Sequence, residues 1–199
     1  ALKKLNPDVV GWIYQKDTII NYPIMRGKDN DQYLHSDINK KYSVSGSIFM
    51  DYRNSADFSD FNTIIYGHHM HDGSMFKSLR GYTKETDYYK DHKTFELITP
   101  DKKYHLQIIS SYITPATSDA YKYSFNNQAE KQAFINYSIK NSKISTGITA
   151  TTNDKIITLS TCAYDYDEAR YVVVCKAIPW TKEEIKAGKK LQAKLDKQK

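Results

Sequence analysis

The stretch Ile156-Ile157-Thr158-Leu159-Ser160-Thr161-Cys162 limits the fold of this chain more than any other. It reads as a buried strand that stops abruptly on a cysteine. A seven-residue polar loop over 163–169 follows, carrying Asp165, Asp167 and Glu168. Arg170-Tyr171-Val172-Val173-Val174-Cys175 then reads as the returning strand. Side chains alternate faces along a strand, so Ser160 and Cys162 share one face. A thiol at a strand end beside an acidic loop is partly exposed, and an arginine opens the partner strand. Such a place can run thiolate chemistry, provided a histidine reaches it.

The remaining segments are short and well punctuated. Asn6 as cap, Pro7 at a first helical position and Asp8 at the positive end predict a brief helix that Gly11 closes. A strand starts at Trp12, and 18–25 reads as a second, with Pro23 marking an edge or bend. Residues 29–35 predict a helical turn with Asn30 and Leu34 on one face. Strands follow over 46–51 and 62–67. A short helix capped by Ser74 is predicted over 75–79, and a charged one over 84–92. A hairpin over 94–98 and 103–113 turns at Pro100-Asp101-Lys102. Residues 127–142 form the clearest amphipathic helix, with Ala129, Ala133, Phe134 and Tyr137 at helical spacing. A last helix runs over 182–197 after Pro179-Trp180-Thr181. Many short strands interrupted by few helices predict a mostly-β barrel or sandwich, not a doubly wound sheet.

A chain of 199 residues predicts one domain. The formal charge of +6 sits largely at the C-terminus: 181–199 holds seven lysines and three acids, net +4, leaving +2 for the other 180 residues. A near-neutral body with no basic stripe interleaved with aromatics argues against nucleic acid. The basic tail reads as a solvated helix face. No apolar run approaches the ~20 residues of a membrane span.

Two cysteines allow one disulfide at most. Cys175 lies in an apolar strand and reads as a small buried hydrophobe. A Cys162–Cys175 bridge is conceivable across the hairpin but would consume the nucleophile. His68, His69 and His71 crowd one turn, yet His68 and His69 are adjacent and point opposite ways if the strand continues. No Cys-x-x-Cys or His-Glu-x-x-His accompanies them, so no metal site is expected. A free thiol ionises near pH 8.5, leaving only a few per cent thiolate at pH 7 (roughly). A histidine can take its proton, and an arginine beside the attacked carbonyl can stabilise the oxyanion.

Thr158-Leu159-Ser160-Thr161-Cys162, with Arg170 eight residues on, resembles the sortase signature TLxTC and its strand-start arginine. Tyr66-Gly67-His68 is similar to that family's Gly-His at a strand end. Asn6-Pro7-Asp8-Val9-Val10-Gly11-Trp12-Ile13, the run YGHHMHDGSMF and the long helix before TLSTC resemble class B sortases in particular. The likeness extends over about 5–179. It implies a closed eight-stranded β-barrel with an N-terminal helix, an inserted long helix and a C-terminal helix. It divides the chain into a catalytic domain over 1–180 and a basic helical tail over 181–199.

The resemblance also implies a cysteine transpeptidase that cuts a C-terminal sorting motif with a Pro-x-Thr core, LPXTG- or NPXTN-like, after its threonine. A thioacyl-enzyme is then resolved by an amine of peptidoglycan or lipid II. It implies Cys162 as nucleophile, His68 as general acid/base and Arg170 at the oxyanion, with His69 only a backup. Asn30, Leu34 and Ser160 would contact the peptide, as would Tyr123 on the segment before the long helix. No cofactor or metal is implied. The implied partners are surface proteins bearing sorting signals. The implied location is the extracellular face of a Gram-positive cell membrane, through an N-terminal tether outside this chain. Tyr164 departs from the pattern, standing where some relatives carry an acid, and the basic tail lies outside the motif.

Overall fold

The computed structural model describes residues 2–85, 87–163 and 165–196. Tyr164, and the predicted end of the last helix at Lys197, lie outside the described residues. The strands are β1 (Val9–Tyr14), β2 (Asn21–Met25), β3 (Ile48–Met50), β4 (Asn62–Tyr66), β5 (Thr94–Ile98), β6 (Lys103–Pro115), β7 (Lys155–Cys162) and β8 (Ala169–Pro179). The helices are α1 (Leu2–Leu5), α2 (Gly81–Lys84), α3 (Tyr88–Asp91), α4 (Gln128–Asn141) and α5 (Lys182–Asp196). The strands close into a barrel in the order β1-β2-β3-β4-β7-β8-β6-β5. β2 pairs with β3, and β4 with β7, in parallel. The other neighbours are antiparallel.

Alternation explains the two main cores. Ile157 and Leu159 of β7, with Val173 and Cys175 of β8, point into the barrel beside Ile13, Ile24, Ile65, Phe95 and Leu106. Their neighbours Ile156, Val172 and Val174 point outward and meet Phe134 and Ile135 of α4. Each such side chain contributes about 1.5–3 kcal/mol by leaving water. Helix α4 begins where expected: the Asn127 side chain accepts from the Glu130 N–H at 2.9 Å. Its buried face is Phe134, Ile135 and Ser138; Ala129 and Ala133 stay exposed, because the longer side chains alone reach the sheet.

Several predicted helices give way to tertiary bonding. Asn6 does not cap a helix over 6–11. Its amide donates to the Tyr33 hydroxyl and the Ile38 carbonyl, and its oxygen accepts from the Asp8 N–H, while Val9 already lies in β1. The helix there is α1, upstream. At 29–35 the Asp29 carboxylate takes the N–H groups of Asp31 and Gln32, a local turn that competes with a helix. Ser74 caps nothing; its hydroxyl donates to Asp72, and a 3-10 turn over Lys77–Arg80 runs into α2. The charged segment over 84–92 keeps one helical turn, α3.

Candidate active site

The outward face of β7 changes character along its length. At Ile156 it is covered by α4. By Thr158 it is polar, donating to Asn62 at 2.7 Å. At Ser160 the cover is Tyr121, whose hydroxyl lies 2.7 Å from the serine oxygen. At Cys162 the face opens into a groove of about 320 Å³, lined among others by Leu34, Tyr66, His68, Ser160, Cys162 and Arg170. That volume suits a short peptide segment rather than a protein surface.

Cys162 is a free, partly exposed thiol at the last position of β7, directly opposite Arg170. Cys175 stands opposite Ile157, fully buried, so the two sulfurs are not bridged. Burial pushes the Cys175 thiol far above its ordinary pKa, which keeps it inert. Arg170 donates from Nη1 to its neighbour's carbonyl, Ala169 O, at 2.9 Å and from Nη2 to Glu168 Oε2 at 3.0 Å.

His68 reaches the groove because β4 runs parallel to β7 and ends beside it, with Tyr66 opposite Ser160 and the Gly67 N–H bonded to Ser160 O. Gly67 must be glycine: a Cβ there would stand 2.4 Å from Ile48 and 2.8 Å from the Phe76 ring. Nε2 of His68 donates to the Leu34 carbonyl at 2.7 Å. A carbonyl only accepts, so in the neutral ring Nε2 carries the proton and Nδ1 keeps the lone pair. The ring also packs against His35 at 5.7 Å. His69 points the other way, donating from Nδ1 to the Cys162 carbonyl at 2.7 Å.

A polar wall that sequence reasoning did not find closes the far side. Asp51 is fully buried and accepts from Arg53 Nε (2.8 Å) and Nη2 (2.7 Å), the Tyr66 hydroxyl (2.9 Å) and the Asn30 amide (3.2 Å). Burial alone would raise its carboxyl, but these donors outweigh it and hold the group below the usual range. Asn30 is fixed at its other end, accepting from the Tyr52 N–H at 3.0 Å. The ring of Tyr66 stacks on Tyr121 at 6.2 Å, and burial raises the Tyr121 hydroxyl to about 12. The usable signal was Tyr66 at the end of β4, on the approach to His68.

Of the residues singled out from sequence, Cys162, His68, Arg170, Asn30, Leu34 and Ser160 all line the groove. Tyr123 does not. Its ring lies under the Arg53 guanidinium at 4.1 Å and faces a neighbouring pocket with Asp60 and Phe61. Tyr121, at the end of a 3-10 turn over Asp119–Tyr121, takes the groove position instead.

A closed mixed barrel that opens a thiol, an imidazole and a guanidinium into one peptide-sized groove is equipped for thiol-dependent acyl transfer. Residues 16–178 match the family described as Sortase domain. The chain is 40% identical over 180 residues to sortase B of Staphylococcus aureus, covering 89% of this chain and 73% of that protein. It is likewise 40% identical over 181 residues to sortase B of Listeria monocytogenes, covering 89% and 72%. The solved Staphylococcus aureus sortase B–substrate complex superposes with a TM-score of 0.85 at 40% identity, over 90% of this chain and 84% of that one. The chain belongs to the sortase family, in its class B. It is thus a cysteine transpeptidase of the cell envelope, acting in surface-protein sorting. Among the described residues no helix is long and apolar enough to cross a membrane.

Proposed function

We propose that this enzyme cleaves a C-terminal sorting motif with a Pro-x-Thr core, LPXTG- or NPXTN-like, after its threonine and transfers the protein to an amine of peptidoglycan or lipid II. The observation that carries the reading is the convergence of Cys162, His68 and Arg170 on one groove with Asn30, Leu34 and Ser160. His68 Nδ1 takes the Cys162 thiol proton, the sulfur attacks the threonine carbonyl, and the Arg170 guanidinium holds the resulting oxyanion. The C–N bond breaks, His68 gives its proton to the leaving amine, and a thioester remains on Cys162. An incoming amine loses its proton to His68, attacks the thioester and releases the thiol. Asn30, Leu34 and Ser160 hold the motif, and Tyr123 acts only through Arg53, whose far face it covers.

The catalytic unit is 1–180, with 181–199 a basic tail that contains α5. An N-terminal segment outside this chain tethers the enzyme to the extracellular face of a Gram-positive cell membrane. The test is a set of quenched fluorescent Pro-x-Thr peptides at pH 7, with and without an added amine, followed by mass spectrometry. Cleavage that requires Cys162 and yields an amide in the presence of the amine is the expected result. Hydrolysis alone, unaffected by amine, would make the protein a peptidase.

A further inference from the structure

The two strands that carry the groove part company just where the nucleophile sits. Up to Tyr66, β4 pairs residue by residue with β7, and the Gly67 N–H bonds to Ser160 O. In a parallel ladder the next bond on that edge comes two residues later, and would join the residue 69 N–H to Cys162 O. That bond is not made by the backbone. The chain leaves β7 at Gly67 and folds back on itself, with the Phe76 N–H bonded to His68 O and an isolated bridge between His69 and Met75. The Cys162 carbonyl is met by a side chain, His69 Nδ1, at 2.7 Å.

We propose that His69 is a positioning residue for the nucleophile, its Nδ1–H replacing the missing ladder bond and fixing the Cys162 peptide where β4 peels away. The inference rests on Cys162 being the attacking thiol. Several features support it. The acceptor is a carbonyl, so Nδ1 must be the donor. The imidazole packs on the Tyr171 ring at 5.8 Å. Tyr171 is itself held by its hydroxyl donating to Asp165 at 2.8 Å, and Asp165 is paired with Lys84 of α2. Burial also lowers the His69 pKa, favouring the neutral ring. On the other edge, the Ala163 N–H bonds to Ala169 O at 2.9 Å, so the residue after the thiol is already pinned to β8. With His69 in place the strand end is held from both sides.

The test compares His69→Asn with His69→Leu. The two side chains are nearly isosteric, and the Asn Nδ2 stands the same number of bonds from the backbone as His Nδ1; Leu has no donor. Steady-state kinetics are measured on a cleaved peptide, beside wild type and Cys162→Ala, with circular dichroism to establish folding. We expect His69→Leu to lose roughly 10- to 100-fold in kcat with KM within about twofold, as for a misplaced reacting group, and His69→Asn to stay within about threefold of wild type. The rate of Cys162 alkylation should follow the same order. If the Leu variant does not fold, His69→Ala takes its place in the comparison. Equal activity of the donor and non-donor variants would overturn the proposal. Activity surviving in Cys162→Ala would instead overturn the reading of the site on which it rests.

Discussion

Removing the Asp51 carboxylate should unsettle the groove wall by an amount that the structure bounds. The group is fully buried, with both Arg53 nitrogens, the Tyr66 hydroxyl and the Asn30 amide bonded to it. Breaking a buried ion pair by deleting one partner typically costs ~3–5 kcal/mol, because the other charge is stranded. Arg53 is 34% exposed, so water would recover part of its solvation. We therefore expect Asp51→Ala to cost about 2–3 kcal/mol. For a chain of this length each kcal/mol moves Tm by roughly 2–4 °C, giving a fall of about 4–12 °C. Asp51→Asn keeps acceptors but not the charge and should fall between this and wild type. The assay is thermal unfolding followed by circular dichroism at pH 7, with peptide kinetics alongside. KM should rise more than kcat falls, since Asn30 loses one of its two anchors while Cys162 and Arg170 stand on β7 and β8 and His68 follows the end of β4. An Asp51→Ala protein melting within 2 °C (about 0.5–1 kcal/mol) of wild type would refute the reasoning. The carboxyl is held below its ordinary pKa, so its stabilisation is complete above about pH 3.9 and is lost as pH falls toward the depressed folded value.

Further outcomes can be checked in the same preparations. Iodoacetamide should modify one thiol of the native protein and two after denaturation, with Cys162→Ala abolishing the native reaction, since Cys175 is fully buried. Gly67→Ala should destabilise by about 1–3 kcal/mol and lower activity, because the added methyl meets Ile48 and Phe76 beside His68; this is read by denaturant titration with kinetics. Glu168→Gln should raise kcat/KM, by no more than about fivefold, by releasing Arg170 from a pair whose acid is 76% exposed. His105 lies between Glu96 and Glu184 and stacks on Trp180; although burial opposes it, the two carboxylates raise its pKa. Its contribution to docking α5 is therefore complete below about pH 6.5 and is lost as pH rises through the higher folded value, which Trp180 fluorescence should report.

Much of the scaffold was legible because it rests on local pattern. The strands at 62–67 and 94–98, the β7–β8 pair and the cap of α4 at Asn127 follow from alternation and one side chain's chemistry. The errors share a cause. Asn6, Asp29 and Ser74 have the chemistry of helix caps, and each uses it on a turn or a distant partner that adjacent residues cannot reveal. Cys162 and Arg170 stood out because a strand end and a neighbouring arginine are local facts, whereas His68 was singled out from its neighbours by the resemblance of Tyr66-Gly67-His68 to the sortase Gly-His. Asp51, Arg53 and Tyr121 were missed because their importance lies in contacts across the fold. His69 was set aside as a backup: its adjacency to His68 showed that it points the other way, but not that a strand departure leaves a carbonyl there.

The parallel pairing of β4 with β7 also makes the spacing of thiol and imidazole a matter of sheet register. A slip of one residue would shift Cys162 by roughly 3.3 Å and turn it to the opposite face, so no half-competent slipped form exists. Turnover is therefore an all-or-none reporter of barrel closure, usable as a folding probe in its own right. The connections 29–47 and 116–127 lie outside that ladder, tied to it through Leu34, which holds His68, and Tyr121, which meets Ser160. With those two residues kept, they can be lengthened or exchanged between relatives to retarget peptide choice while the reacting pair stays in place.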